Sequence, residues 1–370
     1  MNTEIISTKQ GIFIMSMFTI GSTIIISSDA KTKQDVWITI LIALVMSLPM
    51  LFIYSKILML YPGKDLFDIL KEVFGNVAGK IIALLFVWYC FHLGALVIRN
   101  FSDFVTIISF PETPQSLIII FIGLFTIYMV KSGIEVLGRW TFFVFPIIMA
   151  IIIVTICLSM TKANFNNLRP LLYDGIKPVL LGSFTFLSFP FLEVVVFTIL
   201  LSSLKESKKT FKVFLISSLI SSLVMITISV RNILVLSSSL AIDYYFPSYI
   251  AVRLIKIGDF IERFEIVVAI VFIFGGFVKI SVCLLAASRG VANILNIKNY
   301  RYVVAPVAFL MMDLAEIIYE NTMEMFKWLS EIYKYYAIPF QIILPIIILI
   351  AAKIKIKVTS KKQKSEVSSQ

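Results

Sequence analysis

Apolar residues run along this chain in long blocks, and the blocks are separated by short stretches where lysine, aspartate, glutamate and proline gather. A helix crosses hydrocarbon with about twenty mostly apolar residues. That criterion predicts ten spans: 10–28, 36–58, 78–108, 114–131, 140–161, 178–204, 213–238, 264–288, 302–319 and 337–354. The ninth carries the weakest signal, because the run from Pro306 to Met312 is followed at once by Asp313 and Glu316. Between the spans, Tyr61 to Lys80 sets Leu66, Phe67, Ile69, Leu70, Val73 and Phe74 at helical spacing among charges, which predicts a short amphipathic helix at the membrane surface. The stretch from Ile317 to Tyr336, with Glu320, Glu324, Lys327, Glu331 and Lys334, suits a second surface helix.

Two of the ten blocks are interrupted. The sixth, Leu180 to Leu204, contains Gly182, Pro190 and one carboxylate, Glu193. Proline removes an amide donor and crowds the carbonyl four residues back, so this helix should unwind just before Pro190 and leave backbone groups that hydrocarbon cannot satisfy. The first block carries Gly21-Ser22 at its middle. Glycine and proline are common in membrane helices for packing reasons alone. Interrupted helices in corresponding places of two halves, however, mark the binding site of inverted-repeat membrane folds. The halves here are 10–161 and 178–354, within one transmembrane domain spanning 1–370, and 355–370 reads as a polar basic tail.

Composition narrows the class. A hydrophobic fraction of 59% with 15% charged residues is far from the soluble balance of about 25% charged, so the chain reads as an all-α integral membrane protein. The first apolar run continues to spanning length, which reads as a helix of the mature protein rather than a signal peptide. The net charge of +11 does not indicate nucleic acid, because lysine and arginine fall mostly between spans and in the tail. Twenty of them lie on the side that holds the N-terminus and ten on the other, and this bias predicts both termini in the cytoplasm. Cys90, Cys157 and Cys283 sit singly in apolar spans, with no metal or disulfide spacing. No phosphate loop, metal cluster or nucleophile elbow is present, so no enzyme, cofactor or metal site is expected.

Ionisable residues inside spans are costly and need partners. Counting about 1.5 Å per residue from the nearest basic residue at the expected cytoplasmic end of each span, Gly21 (from Lys9), His92 (from Lys80), Glu193 (from Lys205) and Lys279 (from Arg289) all lie roughly 15–18 Å deep, near the midplane. They come from the first, third, sixth and eighth spans, as one central site would require. Glu193 and Lys279 need each other, a ligand group or water. Arg99 and Asp103, four apart, can pair on their own helix, and Arg231 can snorkel toward the nearer surface.

At this point the chain resembles the B subunits of spore germinant receptors, the GerAB family of the amino acid, polyamine and organocation superfamily. The resemblance rests on ISTKQGIFIMSMFTIGSTII from Ile6, YPGKDLFDILKEVFG from Tyr61, VIRNFSDF from Val97 leading to PETP, PFLE in the sixth span and IERFEIVVAIVFIFGGFVKISV from Ile261. It implies a LeuT-like fold of ten helices in inverted five-helix repeats with broken first and sixth helices. It also implies a nutrient-sensing role beside A and C subunits in the inner spore membrane or cell membrane. In this family type the pocket lies between the first, third, sixth and eighth helices. By position that points to Gly21, Ser22, His92, Leu96, Phe189, Phe191, Glu193, Lys279 and Cys283 as ligand-binding residues. A cation at Lys279 departs from the pattern of a sodium-coupled relative. Three readings stay open: a sensor for an amino acid or similar nutrient, a proton-coupled amino acid permease with Glu193 or His92 titrating, and a scaffold with a vestigial pocket.

Overall fold

The computed structural model describes residues 4–23, 32–255 and 265–367. The last five residues of the predicted first span, 24–28, lie outside these, as do the side chain of Ser22 and the IERF portion of the motif from Ile261. Among the described residues the chain is helical apart from turns, loops and one isolated bridge between Ile6 and Leu204.

The first half comprises α1 (Thr8–Thr23), α2 (Val36–Leu60), α3 (Leu66–Ile108), α4 (Gln115–Ser132) and α5 (Ile134–Ser159). The second begins with α6 (Ile176–Ser188), a 3-10 segment (Phe191–Val196) and the single turn α7 (Phe197–Leu200). It continues through α8 (Thr210–Asp243), α9 (Pro247–Arg253), α10 (Ile266–Ile294), α11 (Val304–Ile317), α12 (Thr322–Glu331), α13 (Tyr333–Ile338), a π turn (Pro339–Ile343) and α14 (Leu344–Val367). Eight stretches are long and apolar enough to cross a membrane: 33–60, 66–108, 115–132, 134–162, 176–203, 207–243, 266–294 and 333–359. They correspond to eight of the ten predicted spans. The first is described only as far as Thr23, and the ninth, α11, is a helix of 14 residues.

The predicted amphipathic helix at 61–80 and the third span are one continuous element. Asp65 caps its start, accepting a hydrogen bond from Asp68 N at 2.9 Å. Gly75, at φ 80°, bends the chain between the surface part and the spanning part, a conformation glycine adopts without the strain a Cβ would bring. The sixth span breaks where proline chemistry predicts. α6 ends at Ser188, Phe189 is extended, and Glu193 sits in the 3-10 segment that follows.

The first span behaves differently. α1 stays helical through Gly21 and Ser22, so its interruption does not fall at that pair. Gly21 instead makes the closest helix crossing of the bundle. A Cβ placed there would lie 2.4 Å from the carbonyl carbon of Gly275 on α10, and one on Gly275 would lie 2.5 Å from Cα of Gly21. The bundle closes around α10, which packs against α3 and α1.

Candidate functional site

The break in the sixth span sets the centre of the site. Glu193 and Lys279 are both fully buried, and Lys279 Nζ lies 2.5 Å from Glu193 Oε2. The lysine ammonium is also flanked by two rings, 5.0 Å from the centroid of Phe18 on α1 and 4.9 Å from that of Phe189 at the break. These are cation–π distances, and they are most effective away from water. The other carboxylate oxygen, Glu193 Oε1, accepts from the Tyr333 hydroxyl at 2.5 Å. Tyr333 lies 3.2 Å from the hydroxyl of Tyr89 on α3, and Tyr89 accepts from Gln341 Nε2 at 2.8 Å.

Gln341 satisfies one of the backbone groups freed where the sixth span breaks. Its amide donates to the carbonyl oxygen of Ser188 at 2.9 Å, on the last residue of α6. The Gln341 carbonyl in turn accepts from the Tyr54 hydroxyl at 2.5 Å. One connected polar network therefore joins α2, α3, the broken sixth span, α10 and the α13–α14 region inside an otherwise apolar bundle. A buried network of this kind favours one arrangement, and loss of a member leaves a costly orphan; Gln341 Oε1 is itself buried without a hydrogen-bond partner among the described residues.

The predicted site residues divide into groups. Glu193, Lys279 and Phe189 meet directly, and Gly21 lies one turn from this centre, since its contact Gly275 is four residues from Lys279 on α10. Cys283, one turn beyond Lys279, and Leu96 are buried on the α10 and α3 faces of the same core. His92 stands apart from the ion pair. Its ring stacks on Trp88 at 5.5 Å and lies 5.6 Å and 5.0 Å from the rings of Trp328 and Tyr336. Phe191 faces away, into a second apolar cluster with Val36, Ile40, Phe186 and Met225. Arg99 and Asp103 do pair, at 3.0 Å, and Arg99 also donates to the carbonyl of Glu316 at 2.8 Å, which ties α3 to α11. The surface-helix expectation for 317–336 needs correction at its end. Tyr333 is 1% exposed and reaches the carboxylate at the centre.

Sequence reasoning missed Phe18, Tyr54, Tyr89, Tyr333 and Gln341. One signal was available for Tyr89, which lies three residues before His92 and seven before Leu96 on α3 and so shares a face with the expected pocket. Gln341 is the polar residue of the last span and was open to the same depth argument.

A second polar cluster lies at the end of the bundle where α1 begins. Glu4 accepts from Arg289 at 3.1 Å, from Arg301 at 2.9 Å and from Tyr300 at 2.9 Å, and Ile6 N donates to Ser203 O at 2.9 Å. The stretch before α1 is thereby laced to the end of α10 and to the loop after α7. A cavity of about 370 Å³ borders it, lined in part by Asp65, Ser203, Arg289 and Lys298. Burial pushes the Asp65 carboxyl up to about 6, with the charge of Asp68 acting in the same direction. Among the described residues no group of three or more histidine, cysteine, aspartate or glutamate side chains is placed to hold a metal ion.

The chain is 28% identical over 366 residues to spore germination protein KB of Bacillus subtilis (strain 168), covering 98% of each. It is 28% identical over 303 residues to spore germination protein YndE of the same organism, covering 80% of this chain and 83% of that one. Among solved structures it is similar to Mhp1, a nucleobase-cation-symport-1 family transporter, in a closed conformation with bromovinylhydantoin bound. That match has a TM-score of 0.69 at 14% identity, over 94% of this chain and 78% of that one. The manganese transporter of Eremococcus coleocola matches with a TM-score of 0.53 at 11% identity, over 94% and 84%. These likenesses establish a LeuT-like transporter fold of inverted five-helix repeats. A family match described as spore germination protein covers residues 5–325, and the chain belongs to that family, the spore germination permeases.

Proposed function

We infer that this protein is the membrane subunit of a spore germinant receptor, and that it binds a small nutrient, an amino acid or a molecule like one, in a midplane pocket. The observation that carries the reading is the fully buried Glu193–Lys279 pair beside the unwound segment at Pro190, flanked by Phe18 and Phe189. A zwitterion presents the same two charges as this pair, so it can compete for both partners without leaving either unpaired. Binding then separates the broken sixth span from α10 and shifts the balance between closed and open arrangements. The proposed ligand-binding set is Gly21, Ser22, Leu96, Phe189, Glu193, Lys279 and Cys283, in which Glu193 and Lys279 hold charge and Phe189 covers the ammonium; Phe191 and His92 turn away from the ion pair and support neighbouring elements.

Lys279 takes the place a bound cation has between the first and eighth helices of sodium-coupled relatives, so the response is independent of sodium. The two repeats run 10–161 and 178–354, both termini face the cytoplasm, and A and C subunits complete the receptor. Spores carrying Glu193→Gln at unchanged protein level test this reading. Nutrient-triggered loss of optical density should disappear, and a normal response refutes it. Uptake of labelled amino acids by reconstituted liposomes, driven by a proton gradient, would instead favour a permease.

A further inference from the structure

Arg231, on α8, had an easy escape in the sequence: a long side chain reaching out to the membrane surface. The structure closes that route. Arg231 is 2% exposed, and its Nε and Nη1 are both buried with no hydrogen-bond partner among the described residues. Every other buried charge described above has a counter-ion or a set of hydrogen bonds. A guanidinium keeps its proton in any protein environment, and its fork of donors calls for a planar oxyanion.

The direction it faces follows from helix period. α1 and α8 run alongside each other in the same sense. A Cβ on Gly11 would touch Val213 at 3.4 Å, and Ser217 Oγ lies 3.1 Å from the carbonyl of Ile12. Two steps of seven residues carry that face from Ser217 through the buried Val224 to Arg231. Arg231 thus shares the α8 face that carries the buried Ser217 and Val224. By the same register it lies about nine residues, roughly 13 Å, beyond the level of Phe18 and Lys279. The next residue, Asn232, donates from Nδ2 to Ser248 Oγ of α9 at 2.9 Å. α9 is held on its other side by Phe246 and Tyr249, which meet Phe104 of α3 edge-on at 5.0 Å and 6.2 Å. Arg231 thus directly precedes, along α8, the residue that ties this helix to α9, which is itself packed against α3.

We propose that Arg231 is the anchor of a second binding site, an outer station that takes a small carboxylate before it reaches the Glu193–Lys279 centre. This rests on the proposed function only in that the nutrient carries a carboxylate. The carboxylate accepts from Arg231 Nε and Nη1, the donors without a hydrogen-bond partner among the described residues, and is held near α9.

The test uses the full chain in lipid nanodiscs, with thermal unfolding followed by tryptophan fluorescence, and sodium acetate as the probe. Acetate should raise the midpoint in a dose-dependent way, and the isosteric, uncharged acetamide should not. Arg231→Gln should weaken the acetate effect by about tenfold to a hundredfold, with Arg231→Lys retaining part of it. Without ligand, Arg231→Gln should be as stable as the parent or more so, because no ion pair among the described residues is broken. An acetate effect that survives Arg231→Gln, or no acetate effect at all, overturns the proposal. Sodium chloride acting as strongly as acetate assigns the site to an inorganic anion and overturns the carboxylate reading. None of these outcomes depends on Glu193, so loss of germination in Glu193→Gln spores and failure of this site remain separate results.

Discussion

Replacing Lys279 by methionine leaves the Glu193 carboxylate fully buried with the Tyr333 hydroxyl as its remaining described donor. At 2.5 Å the attraction between unit charges is roughly 7 kcal/mol at an effective dielectric constant of about 20. Desolvating the two ions costs several kcal/mol each, which offsets most or all of that gain. The net value of the pair is therefore small, whereas the cost of removing one partner is about 3–5 kcal/mol, because the other charge is stranded. Lys279→Met should accordingly be strongly destabilised. The double variant Glu193→Gln with Lys279→Met, which leaves no charge at the centre, should recover much of the loss. Domains of 150–250 residues shift by about 2–4 °C per kcal/mol, and taking the lower figure for this longer chain puts the single variant roughly 6–10 °C below the parent. Thermal unfolding of the purified protein in nanodiscs measures this. A single variant as stable as the parent, or a double variant no more stable than the single, refutes the reasoning.

Other expectations follow from the same structure. Gly21→Ala forces a Cβ to within 2.4 Å of the Gly275 backbone, and this should cost at least about 1–3 kcal/mol, the usual range for overpacking; an unchanged unfolding midpoint contradicts the crossing. Asp65 titrates near 6 in the folded protein, above its unfolded value of 3.8, so the native state holds the extra proton and stability falls as pH rises through about 4 to 6. Above that window the full penalty of up to about 3 kcal/mol is present. Asp65→Asn keeps a capping oxygen and should be more stable than the parent at pH 7 and equal to it near pH 4, which unfolding at the two pH values decides. A cysteine placed between Phe165 and Asp174 should react with an impermeant thiol reagent from outside, and one between Ser202 and Thr210 should not; the reverse pattern overturns the orientation.

Much of the architecture could be read from the sequence because hydrocarbon leaves the backbone so few options. Long apolar blocks gave eight spans near their observed limits, and Pro190 placed the break of the sixth to within a residue or two. Depth counting from the flanking basic residues Lys205 and Arg289 brought Glu193 and Lys279 to one level, where they meet. The same counting could not give azimuth. His92 shares that depth but turns toward Trp88, Trp328 and Tyr336, and Phe191 sits beside the break but packs toward α2 and α8. Gly21 read as a site of unwinding and proved to be a close crossing, since a small residue serves either purpose and only the partner, Gly275, distinguishes them. Tyr333 was hidden because its segment carries alternating charges that belong to a surface helix up to Glu331. The chain then turns inward within two residues, and no local pattern announces that.

The central claim is that the nutrient occupies the pocket around Glu193 and Lys279, and occupancy is most directly read as protection of a residue lining it. Leu96→Cys, in a chain whose Cys90 and Cys157 are replaced by alanine and whose buried Cys283 is kept, is exposed to a small maleimide in membranes, with the same chain lacking the Leu96 change as background. The measurement is made with and without an amino acid that germinates the parent spores. A second cysteine at Val77, which is 76% exposed, serves as control. The account predicts that the nutrient slows modification at position 96 several-fold and leaves position 77 unchanged. Equal rates at position 96 in the presence and absence of nutrient would contradict it.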